Sequence, residues 1–211
     1  MKDGFRLIQE GIFIAIFIPR VRDLSPSPLL KARGYSNRKF AIDFKARYDW
    51  DTMNKPSVYI ETSVISYYCS KQSQDIIIAG HQQITKDWWL KSLPNLTPFV
   101  SDIVIEEISQ GNPLQAKQRM ESIATFGKLN LSTDIEKLAT HYFSKLSIPQ
   151  KAIADVFHLA LAVHHQVDFL VSWNCSHIAN AHIVRKVMAI NHSLQLCTPV
   201  ICTPEELREE E

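Results

Sequence analysis

The sequence predicts an α/β fold built on a mainly parallel sheet, and three observations carry that expectation. Short apolar runs, the size of buried strands, alternate with longer helical patterns from residue 58 to residue 202. One helical segment, 152–163, is apolar nearly all round and reads as interior. Polar residues stand at the ends of the strand runs rather than along them. Strands separated by helices need crossover connections, which implies a parallel sheet covered on both faces.

The elements follow in order. Residues 58–60 form a strand that ends at Glu61, Thr62 and Ser63, where either hydroxyl can cap a helix. A helix is expected over 76–90, closed by Pro94. Residues 97–100 are the second strand, Ser101 caps a helix over 102–110, and Gly111 ends it. A further helix runs from Pro113 to about Phe126, then a strand over 128–131 and a helix over 133–145. Pro149 opens the interior helix. The remaining elements are a strand at 169–171, a helix at 181–190 and a last strand at 200–202.

The 211 residues suit one domain of ordinary size preceded by an extra segment. Residues 1–52 hold 10 Lys or Arg against 6 Asp or Glu, a balance of +4, whereas the rest holds 13 against 16, a balance of −3. They carry no sustained period, and a Ser-Pro-Ser-Pro stretch interrupts them. The division expected is a poorly ordered extension over 1–52, which includes the possibility of an initiator at Met53, and a domain over 53–211. A mildly acidic domain argues against broad capture of nucleic acid but leaves a local groove open. A basic arm that touches nucleic acid or a partner is the competing reading of residues 1–52. The four cysteines form neither a C-x-x-C pair nor a framework, which implies reduced thiols and a cytoplasmic protein. The longest aliphatic run, 12–18, is too short to cross a bilayer.

Asp155 sits in the apolar helix, where a carboxylate needs a proton, a partner or a metal. On the helix after the second strand, Glu107 lies four residues after Ile103 and three after Val104, so it points inward with them; Glu106 falls on the outer face with Asp102 and Gln110. Glu61 follows the first strand and Asn174 the strand at 169–171. In parallel sheets ligands gather at the carboxyl ends of strands, so these groups are expected at one edge. Three carboxylates held together repel unless a divalent cation neutralises them, and oxygen ligands of this kind suit Mg²⁺ or Mn²⁺. The plainer account is that each acid caps a helix or pairs with a lysine.

The stretches VYIETSVISYY, SDIVIEEISQG and ADVFHLALAVHHQVDFLVSWN resemble the acidic motifs of PIN-domain proteins, and WNCSHIAN and VICTPEEL are similar to the VapC-like branch. That resemblance, over about residues 53–207, implies a three-layer α/β/α sandwich and a Mg²⁺- or Mn²⁺-dependent ribonuclease. It also implies a homodimer that is the toxin of a type II toxin–antitoxin pair, with RNA as substrate and a cognate antitoxin as partner. By position, Glu61, Glu107 and Asp155 would be the metal-binding acids and Asn174 the fourth site residue. Two departures stand out: Glu61 occupies a position where many PIN domains have Asp, and Asn174 adds no charge. Its carbonyl oxygen is expected to accept from a metal-bound water.

Ser63, Ser172 and Thr62 are candidates to position a water or the phosphate, against simple capping or turn roles. His158, one turn after Asp155, is read as a satisfied core histidine rather than a site residue. No further Cys/His pair joins Cys175 and His177 in a zinc set. Trp88, Trp89, Tyr67 and Tyr68 suit packing more than base stacking. The competing functions are a PIN-like domain that binds RNA or protein without cutting, and an α/β enzyme acting on a small phosphate ester. The second lacks a Gly-rich phosphate loop or a G-x-S-x-G elbow.

Overall fold

A computed structural model describes residues 55–208. The expectation for residues 1–52 lies outside the described residues. The chain alternates as predicted: β1 (Ser57–Ile60), α1 (Thr62–Cys69), α2 (Ile76–Lys91), β2 (Thr97–Ser101), α3 (Asp102–Ile108), α4 (Pro113–Ser122), β3 (Gly127–Leu129), α5 (Thr133–Leu146), α6 (Ile153–His164), β4 (Phe169–Val171), α7 (Ala181–Leu194) and β5 (Val200–Cys202). The five strands form one sheet in the order β3-β2-β1-β4-β5, and every pairing is parallel.

This order has a physical consequence. From β1 the chain steps to β2 and β3 on one side, then returns to β4 on the other side of β1 and ends at β5. Right-handed crossovers in opposite directions put their helices on opposite faces. The packing agrees: α1 touches α2, α3 and α4, whereas α5 touches α6 and α7. The sheet therefore lies between two helical layers. Its topological switch point falls between β1 and β4, where the diverging connections open a crevice at the carboxyl ends.

Burial explains why the strands are so uniformly apolar. Val58, Tyr59 and Ile60 in β1, and Leu170 and Val171 in β4, are fully buried. They pack with Val64 and Ile65 of α1 and with Val156, Leu159 and Leu161 of α6 in one core. The start of the β1–β4 pair is locked by Asp168, whose Oδ2 accepts from the Ser57 amide at 2.8 Å and its hydroxyl at 2.7 Å; the Asp168 amide donates to Ser57 Oγ at 2.9 Å. At the far end the ladder continues past both strands, with Glu61 N–H on the Val171 carbonyl at 3.1 Å and Ser172 N–H on Cys202 at 3.0 Å.

Several boundaries differ from the sequence reading. Helix α4 ends at Ser122 and β3 starts at Gly127, because Ile123 and Phe126 turn into the core instead of continuing a helical face. Helix α7 runs on to Leu194, since Asn191 is buried there: the Tyr142 hydroxyl donates to its Oδ1, and its amide donates to Thr198 at 2.9 Å. A 3-10 turn, Gln150–Ala152, precedes α6, and the first turn of α6 is only partly buried. The helix is interior from Val156 to Val163, with Phe157 partly exposed.

Gly127 pairs opposite Phe99, and a Cβ there would lie 2.5 Å from Cδ1 and Cε1 of that ring. Gly127→Ala is expected to destabilise the protein by about 1–3 kcal/mol through overpacking. Urea denaturation measures it, and Phe99→Leu in the same background should recover part of the loss.

Candidate metal centre

The centre is built where β1 and β4 end. Glu61 is the N-cap residue of α1, but its side chain makes no capping bond; neither Thr62 nor Ser63 is the cap. Their hydroxyls are spent on carboxylates instead. Glu61 is 6% exposed, and its Oε2 accepts from Ser63 Oγ at 2.5 Å and Ser172 Oγ at 2.7 Å. Each hydroxyl in turn accepts a backbone N–H from the tip after β4: Trp173 N donates to Ser63 Oγ at 2.9 Å, and Asn174 N to Ser172 Oγ at 2.9 Å. Two amides are thus relayed through two hydroxyls onto one carboxylate oxygen, and Oε1 is left out of both bonds. Relayed dipoles of this kind stabilise a buried negative charge without a cation.

Glu107 reaches the same edge from α3. Ser101, the last residue of β2, caps that helix through Val104 N at 3.4 Å and so sets its entry angle. Glu106 is exposed, whereas Glu107 is half-buried and its Oε2 accepts from the Thr62 hydroxyl. The same Oε2 lies 3.3 Å from Nε2 of His158. That separation is an ion-pair contact, but it is off the line of a hydrogen bond, and Nε2 has no hydrogen-bond partner. His158 is 0% exposed, and its Nδ1 is 2.8 Å from the Tyr59 hydroxyl, which is itself 2.7 Å from Ser101 Oγ.

Glu61, Glu107 and His158 each offer a ligand atom, and these atoms all lie within 4.8 Å of one another. Two hard carboxylates and a buried nitrogen without a hydrogen bond form a donor set that fits a divalent cation. The sequence reading took His158 for a satisfied core histidine, and for Nδ1 that description holds. Its position three residues after Asp155 on one helix face was the signal that linked it to the site.

Asp155 is not one of the three, yet its carboxyl feels the charges of Glu61 and His158. Asn174 Oδ1 accepts from Ser176 N at 3.2 Å and His177 N at 3.0 Å, while the Asn174 side chain lies beside Asp155 and acts to lower its pKa. Two amides of its own turn thus occupy the Asn174 oxygen. Of the aromatics, Trp88 is buried and Trp89 stacks on Tyr68 at 4.2 Å, so both serve packing. His81 stacks on Trp173 at 4.1 Å beside Tyr67, next to the Glu61 tip.

The two acids differ electrostatically. Burial pushes the Glu107 carboxyl up, but the contact with His158, its positive charge and the Thr62 hydroxyl outweigh burial and hold it below the usual range. Burial pushes Asp155 up too, helped by Glu61, and there the Asn174 bond and the His158 and His177 charges only partly offset it. For His158 burial acts downward, but Glu107, Glu61 and Asp155 together raise it.

No family model matches the chain, and no curated protein matches it. Among solved structures, a chain of VapBC2 from Rickettsia felis, bound to a DNA fragment from its promoter, is similar at a TM-score of 0.42 and 11% identity, over 69% of this chain and 97% of that one. A likeness this distant carries no argument about function.

The opposite shifts give opposite linkage. A depressed carboxyl stabilises the fold above its unfolded pKa, and that contribution is lost as pH falls through the folded value; a raised carboxyl is a burden above its folded pKa that vanishes at low pH. In EDTA at pH 7, Glu107→Gln is therefore expected to lower Tm and Asp155→Asn to raise it. Calorimetry should show the Asp155→Asn gain shrinking as pH falls through the raised folded value toward 3.8, the ordinary value for that carboxyl, and absent below it.

Proposed function

We propose that the chain is a metal-dependent endoribonuclease of the PIN-domain, VapC-like kind, acting as the toxin of a toxin–antitoxin pair. The observation that carries this reading is the meeting of Glu61, Glu107 and His158 at the switch point of a parallel sheet, with Asp155 beside them. The motif resemblance between residues 53 and 207 supports the substrate class. Glu61, Glu107 and Asp155 would hold Mg²⁺ or Mn²⁺, Asp155 on the ion or on one of its waters. When bound, the ion would neutralise the acids, lower the pKa of a water and offset charge on the phosphate oxygens.

The residues themselves divide the work. Ser63 and Ser172 fix the Glu61 carboxylate, and Thr62 fixes Glu107, so both acids are oriented before substrate arrives. Asp155, beside the acids and outside the triplet, is the group placed to take the proton of the attacking water. In that in-line step the water oxygen bonds to phosphorus and the bond to the leaving ribose oxygen breaks. The proton passes to Asp155, and the leaving oxygen is reprotonated from solvent. A homodimer and an antitoxin that covers the acids with a cationic segment complete the reading.

The test is cleavage of a mixed RNA substrate by the full chain in Mg²⁺, Mn²⁺ or EDTA. Metal-dependent cutting is expected, and Glu107→Gln or Asp155→Asn should lower it by about 100-fold or more. A folded, metal-binding wild type that cuts none of the RNAs would overturn catalysis in favour of a binding domain. Cutting that persists in both variants would overturn the site.

A further inference from the structure

The proposed nuclease accounts for the acids but leaves one buried atom without a hydrogen bond, Nε2 of His158. The histidine lies on the buried side of α6, fully enclosed, with Nε2 turned to Glu107 and unmatched by any hydrogen bond. A buried polar atom of this kind calls for an explanation, and a bound ion is one of the few available.

The surroundings of the ring say which form of the imidazole the site can hold. Nδ1 faces the Tyr59 hydroxyl, and that hydroxyl faces Ser101 Oγ, which also accepts the Val104 amide. If Tyr59 donates to Ser101, its oxygen accepts N–H from Nδ1, and Nε2 of the neutral ring carries a lone pair pointing to the carboxylates. The reverse arrangement puts a proton on Nε2, where the only acceptor in reach is off line. The first arrangement is how metal-binding imidazoles are held: the remote nitrogen donates to an oxygen, which fixes ring and tautomer. An ion bound there takes the place of the proton that the three acids draw to the ring in its absence, and it finds Nε2 and a carboxylate oxygen 3.3 Å apart. Neighbouring ligands around an octahedral ion with bonds of about 2.0–2.2 Å lie about 3 Å apart, so this pair matches one edge of such a sphere.

Resting on the proposed nuclease reading, we infer that His158 is itself a ligand of the metal centre, through Nε2, beside Glu61 and Glu107. The Tyr59 and Ser101 hydroxyls act as positioning groups that hold the imidazole in its ligating tautomer. The centre is then a mixed nitrogen–oxygen site instead of an all-carboxylate one. An imidazole ligand favours first-row transition ions over Mg²⁺, whose preference is for oxygen and water. The cation the site selects is therefore Mn²⁺ ahead of Mg²⁺. With His158 on the ion, Asp155 is free to act on the water, in keeping with its place outside the triplet.

Electron spin-echo spectroscopy of Mn²⁺ bound to the full chain reads ligation directly and needs no turnover. The expected result is a nitrogen coupling from a bound imidazole that changes when the protein is labelled with ¹⁵N-histidine. It should be lost in His158→Gln and kept in His177→Gln. His177 is the control because its charge also reaches Asp155. In thermal-shift titrations Mn²⁺ should act at a concentration at least about ten-fold lower than Mg²⁺, and His158→Gln should erase that preference. Tyr59→Phe should keep the coupling but weaken Mn²⁺ binding and alter the nitrogen quadrupole signal, which a purely structural role would leave unchanged. If His158→Gln fails to fold, the coupling in wild type and in His177→Gln carries the assignment, because among the described residues no other histidine joins an acidic cluster. Bound Mn²⁺ without nitrogen coupling, or coupling that survives in His158→Gln, overturns His158 as ligand and leaves the nuclease reading standing. A folded chain that binds no divalent ion overturns both.

Discussion

The pairing of β1 with β4 is the contact on which the centre depends. In its register Ile60 stands opposite Val171, and the ladder runs one residue further through the Glu61 amide. That places Ser172 against Glu61, two residues 111 positions apart in the chain, at hydrogen-bond distance. A slip of one residue would reverse every side chain of one strand and send Glu61 away from the crevice. Burial on both faces of both strands forbids the slip, and the Ser57–Asp168 bonds secure the other end.

Around this frame the molecule holds several negative groups with few cations near them. The fold answers by unequal treatment. Glu61 receives two amides through hydroxyls, Glu107 shares the field of His158 and Thr62, and Asp155 is left half-buried with one amide. The unequal treatment is what lets one carboxylate stay charged while another leans toward its protonated form, a division useful to acid–base chemistry. It also means that Asp155, unlike Glu107, works against the stability of the metal-free fold, a common feature of functional sites.

Much of this was legible in the chain. Alternating apolar strands and helical patterns called for a parallel sheet, and helical spacing separated Glu107 from Glu106. The less legible parts share one physical cause. Helix α7 hid its last turn because Asn191 looks like a surface residue until Tyr142 is brought against it. Helix α4 looked longer because Ile123 and Phe126 keep a helical spacing while serving the core from a connecting segment. His158 looked like packing because a histidine in an apolar helix shows nothing of its second nitrogen.

What the sequence determined by itself is whatever depends on local period and connectivity. The strand–helix alternation, the parallel sheet it entails and the acids at the strand ends all follow from rules that act within about thirty residues. The tertiary structure alone decided which polar atom meets which. That Thr62 and Ser63 serve carboxylates instead of a helix end, that Asn174 comes beside Asp155, and that His158 faces Glu107 all rest on distances between elements far apart in the chain. Those distances are set by the packing of helices against the sheet, and no spacing along the sequence encodes them.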